Sequence, residues 1–355
     1  MKILQIIPSL PPVSCGVGDY AHELAREWKR HGVETYFLGG DPTWHGADAE
    51  FPCEAVAARS SAALQASLTQ IYARDAFDAV VLQFSGYGYA PRGAPVWLMR
   101  GLQSWLRKKS AVPLMTMFHE LYASGPVTSS AFWLSALQKY VCANVARISR
   151  IVRTNRAASA AWLGKVAPQH EGRILVLPVF SNMGEKCEAP PPSQRPSSLA
   201  IFGYQSDAAN FWSPFPKMLK MLGVEKITGL GKTLAHNDHA VVVVDERGFL
   251  GTQEMSATLQ KTRLGYLHYN PEYMGKSGIL AAFAAHGVVP VLAPYAAELS
   301  ESLVHGINVL RSELILEPLD PDVLDAMSHN ILSWYAPHCI RATAAGYLKQ
   351  LHGAA

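Results

Sequence analysis

The sequence predicts an α/β protein built as two parallel-sheet, Rossmann-like domains. Three observations predict it. Short apolar runs with no polar alternation recur along the chain and alternate with amphipathic stretches, as expected for strands covered on both faces by helices. At 355 residues the chain is long for a single core. A proline-rich break, Pro190-Pro191-Pro192 and Pro196 among Ser, Gln and Arg, divides it near the middle. The domains are placed at residues 1–184 and 199–337, with 185–198 as a stiffened linker.

Composition narrows the class. Apolar residues make up 49% of the chain and the formal net charge is +3. This is the profile of a globular enzyme and not of a disordered or nucleic-acid-coating protein. Cys15, Cys53, Cys142, Cys187 and Cys339 are odd in number and scattered, without zinc-site spacing or a disulfide framework. The chain opens on a strand with no signal-peptide h-region, and no apolar run reaches membrane-spanning length. A cytoplasmic protein is expected, and nucleic acid is not expected as a partner.

Residues 3–7 read as a buried parallel strand ended by Pro8. The loop that follows carries Gly16-Val17-Gly18-Asp19-Tyr20 and leads into a helix with Leu24, Ala25 and Trp28 on one side. A strand at 33–38 completes a β-loop-α-β unit, the opening of a doubly wound domain. Gly16 and Gly18 lack the full dinucleotide fingerprint; they admit a ligand close to backbone or simply form a tight turn. Residues 41–60 read as loop, 62–72 as helix and 79–84 as strand. The Gly/Tyr stretch 85–93 reads as a loop at that strand's ligand-facing end, where Tyr87 and Tyr89 offer rings either to a sugar or to packing. The helix at 97–110 groups Trp97, Leu98, Leu102 and Trp105, with Arg107, Lys108 and Lys109 at its end. It packs on the sheet with a dipole-matched terminus, or it lies peripherally on an anionic membrane surface. A strand at 112–118 delivers His119 and Glu120 to its tip, where an imidazole is better placed to face a ligand than to fill a core. Helix 131–146, strand 147–154, helix 157–166 and strand 174–177 close the first half.

The second half restarts with a strand at 199–202 followed by Gly203 and Tyr204. Ile227-Thr228-Gly229-Leu230-Gly231-Lys232-Thr233 is not a Walker A loop, because the first glycine of that motif falls on Lys226. His236 and His239 sit in a polar loop and are not read as a metal pair. A strand at 240–244, a helix at 255–261 and a strand at 265–269 lead to the stretch around which the chain is organised, Tyr269 to Leu292. There Gly275-Lys276-Ser277-Gly278 opens an Ala-rich helix that Gly287 stops before a buried strand at 288–292. Backbone N–H groups, the helix dipole, a hydroxyl and an ammonium together make an anion site, and phosphate is the usual anion. The alternative is an ordinary loop between strand and helix. Asp320-Pro321-Asp322 has the aspartate spacing of metal-dependent sugar transferases, but it precedes a helix and reads as an N-cap.

In this order the pieces resemble the GT-B glycosyltransferases, family 4 in particular, over nearly the whole chain. The 16–20 loop resembles that family's first glycine loop, 114–120 its strand ending in His-Asp or His-Glu, and 226–231 its Ile-x-Gly-x-Gly strand end. Residues 275–291 resemble its phosphate-binding loop and helix, and 305–310 its Asp-Gly-x-Asn-Gly turn. The resemblance implies two domains facing a cleft, with a C-terminal helix at about 338–355 packing back on the first. Two features depart from the family. Its paired glutamates fall on Met274 and Ala282, and the arginine after the glycine of the second domain's first strand is Tyr204.

The implied activity is transfer of a sugar from a UDP- or GDP-linked donor to a glycan, lipid-linked or small-molecule acceptor, with retention and without a metal or other cofactor. His119 and Lys276 are the expected catalytic residues. Gly16, Val17, Gly18, Gly203, Tyr204, Gly229, Gly231, Gly275, Ser277 and Gly278 are expected at the donor. Asp19, Tyr20, Tyr87 and Tyr89 are expected at the acceptor. The rival readings are a nucleotide-sugar epimerase or an inverting transferase, and a catalytically inactive nucleotide- or glycan-binding scaffold. The sequence does not specify the oligomeric state.

Overall fold

A computed structural model describes residues 1–9, 13, 15–44, 48–123, 128, 130–186, 189–206, 211–234 and 242–353. The chain forms two units, Met1–Leu177 with Thr343–Ala355, and Pro178–Ala342. His236 and His239 lie outside the described residues.

The first unit is a seven-stranded sheet in the order β3-β2-β1-β4-β5-β6-β7. Its strands are β1 (Lys2–Ile7), β2 (Glu34–Gly39), β3 (Cys53–Ala55), β4 (Ala79–Phe84), β5 (Leu114–Phe118), β6 (Ile151–Thr154) and β7 (Leu175–Val176), all parallel. The helices are α1 (Gly16–Arg30), α2 (Ser61–Arg74), α3 (Gly86–Tyr89), α4 (Val96–Lys108), α5 (Ser130–Ile148) and α6 (Ala157–Val166). Apolar runs such as Val80, Val81 and Leu82 are fully buried, as both faces of the sheet are covered. Three expectations change here. The 41–60 stretch supplies the edge strand β3. Residues 85–93 include the short helix α3 instead of an open loop. Arg147 and Ile148 prolong α5, so β6 starts only at Ile151.

The second unit is a six-stranded parallel sheet in the order β10-β9-β8-β11-β12-β13. Its strands are β8 (Ser198–Phe202), β9 (Lys226–Leu230), β10 (Val243–Gly248), β11 (Leu264–Leu267), β12 (Val289–Leu292) and β13 (Leu310–Arg311). The helices are α7 (Phe215–Met221), α8 (Thr252–Gln260), α9 (Gly278–Ala285) and α10 (Pro321–Tyr335). The chain builds outward from β8 to β10, then crosses to β11. The switch point of this doubly wound sheet therefore lies between β8 and β11, where such sheets bind ligands. Asp320 caps α10, its side chain accepting from Asp322 N–H.

The proline-rich segment is not a tether. Arg195 is buried and donates to Pro190 O and Thr262 O, while Arg263 donates to Pro192 O and Arg195 O. The second unit already begins at Pro178, where Val179 N–H donates to Gly275 O and Ser181 N–H donates to Tyr335 Oη. The last helix, α11 (Ile340–His352), counts with the first unit from Thr343 onward. Trp28 Nε1 donates to Ala344 O, and the Arg153 guanidinium stacks 3.8 Å from the Tyr347 ring centroid.

His338 is 2% exposed, and burial pushes its imidazole down to about 4. Below its unfolded pKa of about 6.5 the unfolded chain takes up a proton that the folded chain refuses, so stability falls with pH. The loss runs from pH 6.5 to about 4 and amounts to at most ~3 kcal/mol. Urea titrations of wild type and His338→Gln across this range should show a smaller pH dependence in the variant. Parallel slopes would remove His338 as the cause.

Candidate functional site

The strand ends of the first unit carry a buried chain of side-chain amides. Gln5 in β1 and Gln83 in β4 each interrupt an apolar run, and both are fully buried. Gln5 Nε2 donates to Ala21 O at 3.1 Å, Gln83 Nε2 donates to Gln5 Oε1 at 2.8 Å, and His119 Nε2 lies 2.9 Å from Gln83 Oε1. A backbone carbonyl terminates this chain and can only accept. Each amide is therefore oriented in turn, and His119 must donate from Nε2. When neutral, such an imidazole carries its lone pair on Nδ1. His119 is 7% exposed, and its ring meets Tyr20 edge-on at 4.9 Å. Asn155 Nδ2 donates to His119 O at 3.4 Å and holds the backbone behind it.

Around this histidine the predicted residues separate. Gly16, Val17 and Gly18 do not form a loop; they are the first turn of α1, capped by Cys15 Sγ accepting from Gly18 N–H. A β-carbon on Gly18 would stand 2.1 Å from Ser9 O, whereas Gly16 has open space. Asp19 is half-buried, and burial raises its carboxyl above the usual range. Tyr20 is not available to an acceptor: it is buried, and its hydroxyl lies 3.4 Å from Tyr347 Oη. Tyr89 is likewise a core residue, donating to Ile6 O and Gln83 O. Tyr87 stays 47% exposed, held by Gln138 Nε2 at 3.3 Å.

In the second unit the strand ends are shaped by glycine. A β-carbon on Gly203 would sit 1.5 Å from Lys232 O, so the turns after β8 and β9 touch backbone to backbone. Gly231 has φ +75° and opens toward Phe249, which is 89% exposed in the loop after β10. Gly229 belongs to β9 itself; there a β-carbon would meet the Glu246 carboxylate at 2.3 Å, a packing constraint and not a ligand contact. Tyr204 is 59% exposed. Beside it Gln205 is buried and accepts from His268 N–H at 2.6 Å, across the switch point. The His268 and Tyr295 rings meet at a tilt there, with centroids 5.5 Å apart.

The Gly275–Gly278 stretch is rearranged relative to expectation. Gly275 and Lys276 end a 3₁₀ turn, Pro271–Lys276, and α9 starts only at Gly278. Ser277 is the N-cap, its Oγ accepting from Leu280 N–H at 3.1 Å. The Lys276 ammonium lies 5.0 Å from the Tyr273 ring centroid, and Asn182 Oδ1 stands beside Gly278. The α9 N-terminus, a cationic side chain and a hydroxyl thus adjoin one another. Met274 and Ala282 are 1% and 0% exposed, so the positions of the expected glutamates belong to the core. The Phe283 ring covers Gly265 of β11, which brings α9 tight against the sheet. Among the described residues no cluster of three His, Cys, Asp or Glu is placed to hold a metal ion.

No family model matches the sequence, and no curated protein matches it. Solved structures do match its fold. Anabaena HepE in complex with UDP and glucose superposes with a TM-score of 0.61 at 13% identity, covering 99% of this chain and 100% of that one. The chain has the GT-B fold. WaaG, a glycosyltransferase involved in lipopolysaccharide biosynthesis, matches at TM-score 0.60 and 11% identity, over 99% and 100% of the two chains. A UDP-forming trehalose-phosphate synthase from Burkholderia xenovorans matches at TM-score 0.60 and 9% identity, over 99% of each chain. Within this GT-B chain the residues missed by sequence reading are Gln5, Gln83, Gln205 and His268. The signal for the first two was present, as glutamines inside otherwise apolar parallel strands.

Replacing Gln83 with Leu removes the donor to buried Gln5 Oε1 and the acceptor facing His119 Nε2. The expected cost is roughly 1–3 kcal/mol per lost partner in a urea titration. Nitrogen-15 NMR of the wild-type imidazole should show the Nε2–H tautomer for His119; an Nδ1–H tautomer would contradict the amide order given above.

Proposed function

We propose that this chain is a glycosyltransferase acting on a nucleotide diphosphate sugar. The observation that carries this reading is the fold likeness along the full length of HepE, which has been solved with UDP-glucose and with UDP and glucose. The second unit takes the nucleotide diphosphate, UDP- or GDP-linked. Lys276, Ser277 and the N–H groups at the start of α9 hold the phosphates, Gly203 keeps the turns after β8 and β9 together beside them, and Gly231 lets backbone approach the ligand. The first unit takes the acceptor, a glycan, lipid-linked or small-molecule hydroxyl compound, with Tyr87 and Asp19 at its edge. His119 serves the transferred sugar.

In the reaction the bond from the anomeric carbon to the diphosphate oxygen breaks and a bond to the acceptor oxygen forms. The acceptor's proton leaves with the diphosphate. Negative charge builds on the departing phosphate, so fixed donors there lower the barrier by a few kcal/mol each. The Lys276 ammonium and the α9 amides fit this task, which makes a metal unnecessary in this proposal. Retention of configuration follows the family resemblance. The orientation of His119 by Gln83 and Gln5 suits a residue that must present one defined nitrogen to a sugar hydroxyl. With Met274 and Ala282 in the core, sugar recognition falls to other groups, of which His119 is the best placed in its own unit.

Calorimetry with UDP, GDP, uridine and guanosine tests the reading. One diphosphate should bind, and Lys276→Ala should weaken it about tenfold or more while leaving nucleoside binding nearly unchanged. Equal losses for diphosphate and nucleoside would reject the phosphate role, and no binding of any nucleotide would reject the function. Turnover of the donor should survive EDTA; a loss restored by Mg²⁺ would overturn metal independence.

A further inference from the structure

Charge is unevenly distributed along this chain. Residues 91–177 carry twelve Lys and Arg against only two acids, Glu120 and Glu171, although the whole chain has 31 basic and 28 acidic residues. This segment supplies α4, α5 and α6, which pack side by side in the first unit. Arg100, Arg107 and Lys108 on α4, Lys139 and Arg147 on α5, and Lys165 on α6 are all exposed. Lys2, Arg26, Arg30, Arg59 and Arg74, elsewhere in this unit, form ion pairs.

The middle helix of the three also carries apolar surface. Along α5, Trp133 is 74% exposed, Tyr140 55%, Phe132 45% and Leu137 41%, with Ala136 exposed between them. Positions 133, 137 and 140 repeat at helical spacing, so they form one stripe, which Arg147 continues toward the C-terminus, with Lys139 to its side. At the far ends of α4 and α5 an open groove of about 630 Å³ combines Leu106 and Ile148 with Arg107 and Arg150. The helix at 97–110, the sequence-based candidate for a membrane contact, cannot serve with its apolar side. Leu98, Leu102 and Trp105 of α4 are buried, and Leu64 of α2 packs against Gly101.

We propose that the α5 stripe and the basic residues around it dock the protein on the surface of an anionic lipid bilayer. Hydrocarbon at the headgroup boundary takes Trp133, Leu137 and Tyr140, and the basic residues meet lipid phosphates. A second copy fits this face poorly, because apposing two such faces brings their like charges together. A nucleic acid satisfies the charge but has no apolar counterpart for the Ala136–Leu137 portion of the stripe. No described helix is long and apolar enough to cross a membrane, so the contact is superficial.

Sedimentation of the full chain with vesicles tests the proposal and needs no sugar donor, so its failure leaves the proposed enzymatic function untouched. Equimolar phosphatidylcholine and phosphatidylglycerol vesicles should bind the protein, phosphatidylcholine alone should not, and high salt should release it. Trp133→Ser with Tyr140→Ser, and separately Arg107→Glu with Lys108→Glu, should each weaken binding about tenfold at unchanged melting temperature. Four outcomes overturn the proposal. They are no binding to anionic vesicles, equal binding to both vesicle types, a dimer by light scattering that the aromatic pair of substitutions dissolves, and salt-sensitive binding to an oligonucleotide without vesicle binding.

Discussion

Both units depend on one constraint, the absence of a side chain where the first strand of each sheet hands over to the next element. Ser9 O occupies the space of a β-carbon at Gly18, and Lys232 O occupies it at Gly203. Any larger residue pushes two backbone segments apart, and backbone cannot yield as a flexible side chain can. In the first unit this contact seats the opening turn of α1 against the end of β1. That seating aims Tyr20 at His119 and places Ala21 O where Gln5 reaches it. In the second unit it turns Gly203–Gln205 toward the switch point, where Gln205 receives His268 N–H.

The amide chain from Ala21 to His119 shows how a buried polar line acquires direction. An isolated glutamine in a parallel strand costs stability unless both ends of its amide are satisfied. Two of them in neighbouring strands satisfy each other only in one orientation once a carbonyl closes one end. His119 inherits that direction. Its proton is assigned by packing several residues away, and its ring is held by Tyr20 on one edge and by the backbone contact with Asn155.

The second unit gathers its positive character differently. α9 is buried on all sides, from Ile279 to Ala285, so its only polar features are its two ends. At the front end Ser277 caps the first turn and Lys276 leans on Tyr273. Because positions 274 and 282 are Met and Ala, no carboxylate stands at either to oppose an anion. The first unit, by contrast, spreads its excess charge over the outer face of α4 to α6, beside an aromatic stripe that no apolar core requires.

Much of the fold was legible in the sequence because local physics writes it. Buried parallel strands need uninterrupted apolar runs, and helix boundaries need caps such as Asp320, so strand alternation and the cap were readable without coordinates. The residues Gly275 to Gly278, on which the proposed phosphate site rests, were equally visible in the sequence. What the sequence could not convey is which side of an element faces inward. Tyr20, Tyr87 and Tyr89 are chemically alike, yet two are core and one is exposed, because exposure depends on strand order and on the helices laid over them. The same holds for the aromatic residues of α4 and α5: similar in composition, one set is packed against α2 and the other faces solvent. The proline-rich segment looked like a free tether because Arg195 and Arg263 are distant from their carbonyl partners in sequence. The tertiary structure alone decided these points, since contacts between residues far apart in the chain leave no periodic trace within it.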